Sequence, residues 1–288
     1  MKNTASLCDW LAALRIRTLP LAAASVLCGA LLAKLDQRHD GSVTLLCCLT
    51  AVALQAFSNL ANDYGDACHG VDKADKQPLR MVASGRITQQ AMRRALLFAA
   101  GMCCVSGMAL LWLGLGAAAV AAAFGYTAGS KPYGYAGWGD LAVLVFFGWL
   151  GVLGSEYLQT GALQGWSLLP ATALGLWCSM VLNLNNMRDM NDDLAAGKMT
   201  VAARLGPAGA KRYHAVMCGT AFFLWLVWLA HVFDGTAYAC LNIMLALLSG
   251  IHLYQVFQTG IKALDRLLPK WSISVLVWVA CLWLAAAD

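Results

Sequence analysis

The sequence predicts an all-α, polytopic membrane protein of about nine transmembrane helices, organised as one domain over residues 1–288. Three observations predict it. Hydrophobic residues make up 60% of the chain and charged residues only 12%, more apolar surface than a water-soluble domain of this length can bury. Nine apolar runs approach the roughly 20 residues that a spanning helix needs. They cover about 11–33, 43–62, 93–112, 115–130, 141–160, 168–187, 214–232, 236–257 and 271–286. Lastly, nine crossings collect eighteen of the twenty Lys and Arg on one side of the membrane.

The first run follows a short polar segment with Lys2 and does not close on a small-residue cleavage site, so it reads as a span, not a signal peptide. The second runs into a cluster of acids. The third and fourth are divided only around Gly114-Leu115-Gly116, and together they are too long for a single crossing. The fifth carries Glu156 near the end remote from the acid clusters, where a structural role at the interface is expected. The sixth runs into a second acid cluster. Abundant Gly and Ala suit close helix packing in lipid. The eleven cysteines are scattered through apolar runs and read as small packing residues; the eleven tryptophans read as interfacial anchors and packing.

The crowded side receives Lys2, Arg15, Arg17, Lys73, Lys76, Arg80, Arg86, Arg93, Arg94, Lys131, Arg188, Lys198, Arg204, Lys211, Arg212, Lys262, Arg266 and Lys270. The other side receives Lys34 and Arg38. The positive-inside rule then places the N-terminus in the cytoplasm and the C-terminus outside, in the inner membrane of a bacterium. Both acid clusters fall on the cytoplasmic side, one after the second span and one after the sixth. A motif that recurs after four helices suggests two related four-helix halves plus one extra helix.

The first cluster is Asn59, Asn62, Asp63 and Asp66, with Asp72 and Asp75 beyond; the second is Asn185, Asp189, Asp192 and Asp193. Seven of the fifteen carboxylates lie in these two stretches. If the second helix continues past Leu60, Asn62 and Asp66 share a face, with Asn59 and Asp63 on a neighbouring one. If the sixth continues, Asn185, Asp189 and Asp193 share a face and Asp192 points elsewhere. Two such faces opposed across a cavity would ring a site with hard oxygen donors, which suit Mg²⁺ completed by substrate phosphates. Arg80, Lys131, Arg188, Lys198 and Arg204 lie among these acids, and Lys or Arg would take the phosphate oxygens that a metal leaves free. Arg93, Arg94, Lys211 and Arg212 read as ordinary cytoplasmic charges. A secondary transporter would also carry repeated halves and intramembrane acids, but its acids belong at the bilayer midplane, not at helix ends.

Asn62-Asp63-Tyr64-Gly65-Asp66 with Gly70-Val71-Asp72, and Asn185 through Asp193 followed by Gly197-Lys198 and Arg204-Leu205-Gly206, resemble the paired aspartate motifs of the UbiA superfamily of intramembrane prenyltransferases. The stretches Leu14–Pro20, Ser58–Asp66, Gly85–Thr88, Tyr126–Asp140 and Phe146–Trp149 resemble its 1,4-dihydroxy-2-naphthoate polyprenyltransferase branch. The likeness covers about residues 10–214. One common pattern of the superfamily has an Asp four residues after Asp66, where this chain has Gly70; the naphthoate branch resembles the arrangement found here.

The resemblance implies a UbiA-like bundle around a cavity facing the cytoplasm, and transfer of a polyprenyl group from its diphosphate to an aromatic ring. With 1,4-dihydroxy-2-naphthoate as acceptor, CO₂ is lost. 4-Hydroxybenzoate is another acceptor within the same chemistry. On this expectation Asn62, Asp63, Asp66, Asp189 and Asp193 hold Mg²⁺, with Asp63 acting directly or from behind. Asp66, Asp189, Asp193 and Lys131 serve catalysis. Arg188, Lys198, Arg80, Tyr126, Tyr64 and Arg15 bind substrate: the cations take phosphate oxygens, Tyr64, Tyr126 and Tyr133 face an allylic cation, and Arg15 or Arg17 takes the acceptor's carboxylate. The prenyl tail would lie between apolar helices, open to the lipid bilayer.

Overall fold

The computed structural model describes residues 5–69, 80–110 and 137–286. These residues form helices and connecting turns, with no strand among them. Seven described segments are long and apolar enough to cross a membrane: Leu7–Leu35, Gly41–Cys68, Gly139–Thr160, Gly165–Ala195, Val201–Val232, Gly235–Gln258 and Ile261–Ala285. The expected span 93–112 is helical as far as Leu110, where the described residues stop, and is not one of the seven; the expected span 115–130 lies outside the described residues. The all-α membrane fold therefore stands, and the count of nine is not established.

The chain opens with the short helix α1 (Leu7–Ala13), capped by Ser6 and Asp9 in a reciprocal box. A tight turn at Ile16–Thr18 leads into α2 (Leu19–Leu35), with Pro20 in its first turn. Helix α3 (Gly41–Cys68) is capped by Asp40, whose carboxylate accepts from the N–H groups of Ser42 and Val43. α4 spans Gln89–Leu110. α5 (Gly139–Thr160) is α-helical at both ends and π-helical from Leu144 to Leu153. α6 covers Leu168–Ala195, α7 Val201–Val232, α8 Gly235–Gln258 and α9 Leu267–Ala285. α7 breaks at Gly206-Pro207, where Gly206 takes φ 69° and Pro207 restarts the helix.

Two helices run further than their apolar stretches. α3 continues to Cys68 and α6 to Ala195, so each carries its acid cluster in its last turns. The condition on which the shared faces rested is met in both.

Helix backbones meet at glycines. A Cβ on Gly148 would lie 2.6 Å from the Ala171 carbonyl oxygen, and one on Gly175 would lie 3.0 Å from the Gly148 Cα. α5 and α6 therefore cross glycine on glycine, as helices do where no water drives them together and packing must. The larger core joins α2, α6, α7, α8 and α9 around Trp177, Trp225 and Trp278, whose ring centroids are 5.6–6.0 Å apart, with Trp271 at 5.3 Å from Trp177. Trp228 is buried beside them, so five tryptophans are interior packing residues, not interfacial anchors. A smaller cluster packs α3 against α4 through Phe57, Leu60, Met92 and Leu96.

Glu156 is buried and accepts from the Ser167 hydroxyl at 2.6 Å, tying the end of α5 to the start of α6. All eleven cysteines are free thiols.

Candidate active site

Between α2, α3, α5 and α6 lies a cavity of about 370 Å³. Its wall is mainly apolar: Leu21, Val26, Leu54, Phe146, Phe147, Leu150, Leu158, Val181 and Leu182. One end is polar, with Arg15, Thr18, Gln55, Ser58, Asn59, Asn62 and Asn185. On α3 both Cys47 and Asn62 line it, so it follows that helix for about 22 Å. Asp66 and Asp189 lie one turn beyond Asn62 and Asn185, so the acid clusters begin where the cavity's polar end stops.

The polar end is built by a clamp. Arg15 sits in the left-handed region at φ 48°, ψ 55°, a conformation that costs a non-glycine residue on the order of 1 kcal/mol. Asn59 pins the loop on both sides of it: its amide donates to the Leu14 carbonyl at 2.8 Å and to the Thr18 hydroxyl at 3.2 Å. Thr18 in turn donates to the Arg15 carbonyl at 2.9 Å, and Gln55 donates to both Asn59 and Thr18 at 3.3 Å. The strain is thereby fixed in place. It turns the guanidinium onto the cavity wall, where Nη2 is buried without a hydrogen-bond partner among the described residues. Arg15 stands within electrostatic range of Arg80, Arg188, Asp63 and Asp66, so residues of both clusters converge on it.

Asp63 is held by backbone as well as by nearby charge. Its two oxygens accept from the backbone N–H groups of Met81 and Val82, at 3.1 and 3.5 Å. The turn they belong to is folded on itself, Gly85 adopting φ 73° and the Ile87 N–H donating to the Met81 carbonyl. Met81, Val82 and Ile87 pack into the α3–α4 cluster. Asp63 thus fixes the turn that delivers Arg80, whose Nη2 lies 3.7 Å from Asp189.

On α6 the acids meet side-chain cations. Arg188 grips its neighbour Asp189 with two parallel bonds, Nε to Oδ1 at 2.7 Å and Nη2 to Oδ2 at 2.6 Å. Its remaining nitrogen, Nη1, donates to Asp265, which also accepts from Arg17 at 2.7 Å. Lys198 Nζ lies 3.6 Å from Asp193 Oδ1. Gly197, at φ 72°, turns the chain so that the Lys198 N–H also returns to the Asp193 carbonyl at 2.8 Å. Asp66, Asp189 and Asp193 are all buried.

Several expectations need redrawing. Tyr64 does not line the cavity; it packs in the α3–α4 cluster. The aromatic rings on the described part of the wall include Phe146 and Phe147, whose apolar run gives no sign of which face is inward. Arg17 is held by Asp265. Arg204 donates from Nε to the Met199 carbonyl at 3.2 Å. Lys131, Tyr126, Tyr133, Asp72 and Asp75 lie outside the described residues. Asp265 is the site residue that sequence reading missed: it is a lone acid in a basic loop, and its partners are 77 and 248 residues away.

No group of three acidic, histidine or cysteine side chains among the described residues is gathered into a ready metal cage. The donor chemistry nevertheless fits a hard divalent cation. Asn62 Oδ1 is buried without a hydrogen-bond partner among the described residues, and the three carboxylates offer oxygens alone. Such a set is short of ligands by itself and suits a cation whose shell is completed by phosphate oxygens.

Three comparisons bear on this geometry. The UbiA prenyltransferase family matches residues 22–273. The 1,4-dihydroxy-2-naphthoate octaprenyltransferase of Escherichia coli (strain K12) is 49% identical over 221 residues, 72% of this chain and 72% of its own length. Among solved structures, a UbiA homolog from Archaeoglobus fulgidus bound to GPP and Mg²⁺ superposes with a TM-score of 0.67 at 13% identity, covering 97% of this chain and 100% of that one; this likeness is one of fold.

Proposed function

The chain belongs to the UbiA prenyltransferase family, and we propose that it transfers a polyprenyl group from polyprenyl diphosphate to 1,4-dihydroxy-2-naphthoate. CO₂ and diphosphate leave, and magnesium is the metal. The observation that carries the reading is the junction of a long apolar cavity with a mouth of buried carboxylates and cations. The cavity suits the tail and the mouth suits the diphosphate. The relative named a 1,4-dihydroxy-2-naphthoate octaprenyltransferase supports the acceptor, and the Mg²⁺ bound in the homolog from Archaeoglobus fulgidus supports the metal.

Asn62, Asp66, Asp189 and Asp193 would hold the magnesium, with Asp63 acting from behind through the turn it fixes. When bound, the metal supplies charge neutralisation to the departing diphosphate. Arg188 and Lys198 are paired with the same carboxylates that take the metal, so they are placed to pass to phosphate oxygens when the ligand arrives. Arg80 and Lys131 complete the cationic set. As the carbon–oxygen bond to diphosphate breaks, the allylic cation is faced by Phe146 and Phe147, with Tyr126 a further aromatic candidate. The ring carbon bearing the carboxylate attacks that cation. The bond to the carboxylate then breaks, and its electron pair restores the aromatic ring as CO₂ departs. Arg15, with one buried nitrogen free on the cavity wall, holds that carboxylate until then. The charge pattern supports a mouth in the cytoplasm of a bacterial cell, with the N-terminus inside and the C-terminus outside.

The test is product analysis on the purified chain in nanodiscs, with 1,4-dihydroxy-2-naphthoate, a polyprenyl diphosphate and Mg²⁺. A prenylated, decarboxylated product with release of CO₂ is expected, and EDTA should abolish it. Product from 4-hydroxybenzoate alone would keep the chemistry and change the acceptor. No prenylated product from either acceptor in a folded preparation would overturn the reading.

A further inference from the structure

Asp265 has no role in the reaction above, yet it touches the machinery. It lies in the turn Ile261–Arg266, ahead of α9, and its side chain is 29% exposed. One oxygen accepts from Arg17, beside the start of α2; the other accepts from Arg188, on α6. The Arg188 side chain is 6% exposed, and a shielded guanidinium is stabilised when the donors that one carboxylate leaves over find further acceptors. Here one edge is spent on Asp189 and the tip on Asp265.

This matters because both Asp189 oxygens are occupied by Arg188. Each oxygen keeps a second lone pair, but a cation arriving there meets the charge of the guanidinium, so Asp189 ligates it best if Arg188 loosens at least one bond while staying buried. A guanidinium left with Asp189 alone would hold it harder and compete with an incoming cation. A second carboxylate beyond it lowers that competition and keeps the group beside the diphosphate. We propose that Asp265 is a positioning residue, which holds Arg188 at the mouth and so frees Asp189 for the magnesium–diphosphate. The inference rests on the prenyltransferase reading and assigns a part in it to the loop before the last helix.

The experiment measures binding, not turnover. Farnesyl thiodiphosphate, a non-hydrolysable donor, is titrated into the purified full chain by calorimetry over a range of Mg²⁺ concentrations. Asp265→Asn should raise the Mg²⁺ concentration at half-saturation about ten-fold, the worth of one charge-assisted hydrogen bond. Asp265→Glu should restore most of it. Arg17→Gln removes the rival cation from Asp265 and should move half-saturation the other way, which keeps the idea testable even if Asp265→Asn does not fold. An unchanged half-saturation in Asp265→Asn, even with a lower melting temperature, would mean a merely structural ion pair and overturn the inference; so would a rise in Arg17→Gln. If the unaltered chain shows no Mg²⁺-dependent binding, the prenyltransferase reading falls first and takes this inference with it.

Discussion

α3 and α6 are both 28 residues long and both end in acids, but they satisfy those acids in opposite ways. On α3, Asp63 is held by two backbone N–H groups of a folded turn, and Asn59 is spent on the loop around Arg15. On α6, Asp189 and Asp193 are held by the side chains of Arg188 and Lys198. A backbone N–H cannot leave without unfolding its turn, whereas a long cationic side chain can turn to a new anion that replaces the first while the helix stays intact. The α3 cluster therefore builds the mouth, and the α6 cluster is the part able to exchange its partners for a ligand. On the proposed reading, Asn62 and Asp66, on a neighbouring face of α3, are the members of the first cluster that share the second cluster's task.

The largest expected effects fall on the exchangeable acids. Asp189→Ala and Asp66→Ala should each lower turnover by about 10³-fold or more, as loss of a charge-stabilising group at the reacting centre does. Membrane insertion should hardly change, while Asp189→Ala should also lower the melting temperature, because it takes two bonds from the shielded Arg188. Asparagine should not rescue either, because the charge itself is what the metal needs. Near-normal turnover in either variant would remove that residue from the metal set. Asp63 should behave in the opposite manner. Asp63→Ala leaves two buried N–H groups bare and should destabilise the chain by about 2 kcal/mol, read as a lower melting temperature. Asp63→Asn keeps an acceptor and should recover much of the loss. A variant Asp63→Asn that is stable but as inactive as Asp189→Ala would dissolve the comparison, placing Asp63 on the metal.

That contrast could not be read from the sequence, although much else could. The shared face of Asn62 with Asp66, and of Asn185 with Asp189 and Asp193, follows from helical spacing once the helices are known to continue. Spacing could not tell Asp63 from Asp66, because the N–H groups that claim Asp63 belong to a turn 18 and 19 residues downstream. It could not find Asp265, whose partners lie 248 and 77 residues away along the chain. Nor could it divide the tryptophans: a ring that packs in the centre of the bundle and a ring that anchors at the interface occupy equally apolar runs. Hydropathy reports that a helix is buried in lipid or protein without saying which, so it gave the seven spans found among the described residues and not their inner faces.

The smallest expected effect makes the sharpest cut. If the α6 carboxylates are held by exchangeable charge, the kind of cation should matter little and its presence should matter. Lys198 approaches Asp193 at 3.6 Å, with side chains 11% and 3% exposed, so the pair is shielded from solvent. Lys198→Arg keeps the charge and should stay within about threefold of the original donor KM, since the site asks for a cation near a phosphate oxygen and sets no fixed fork geometry. Lys198→Gln removes the charge and should raise the donor KM by about ten-fold, the value of one charge-assisted contact, with kcat changed less. The alternative is that Lys198 acts only through its backbone, where its N–H closes the end of α6 onto Asp193. Glutamine keeps that N–H, so an unchanged KM in Lys198→Gln would show that the last turn of α6 is held as rigidly as α3, and that exchange is confined to Arg188.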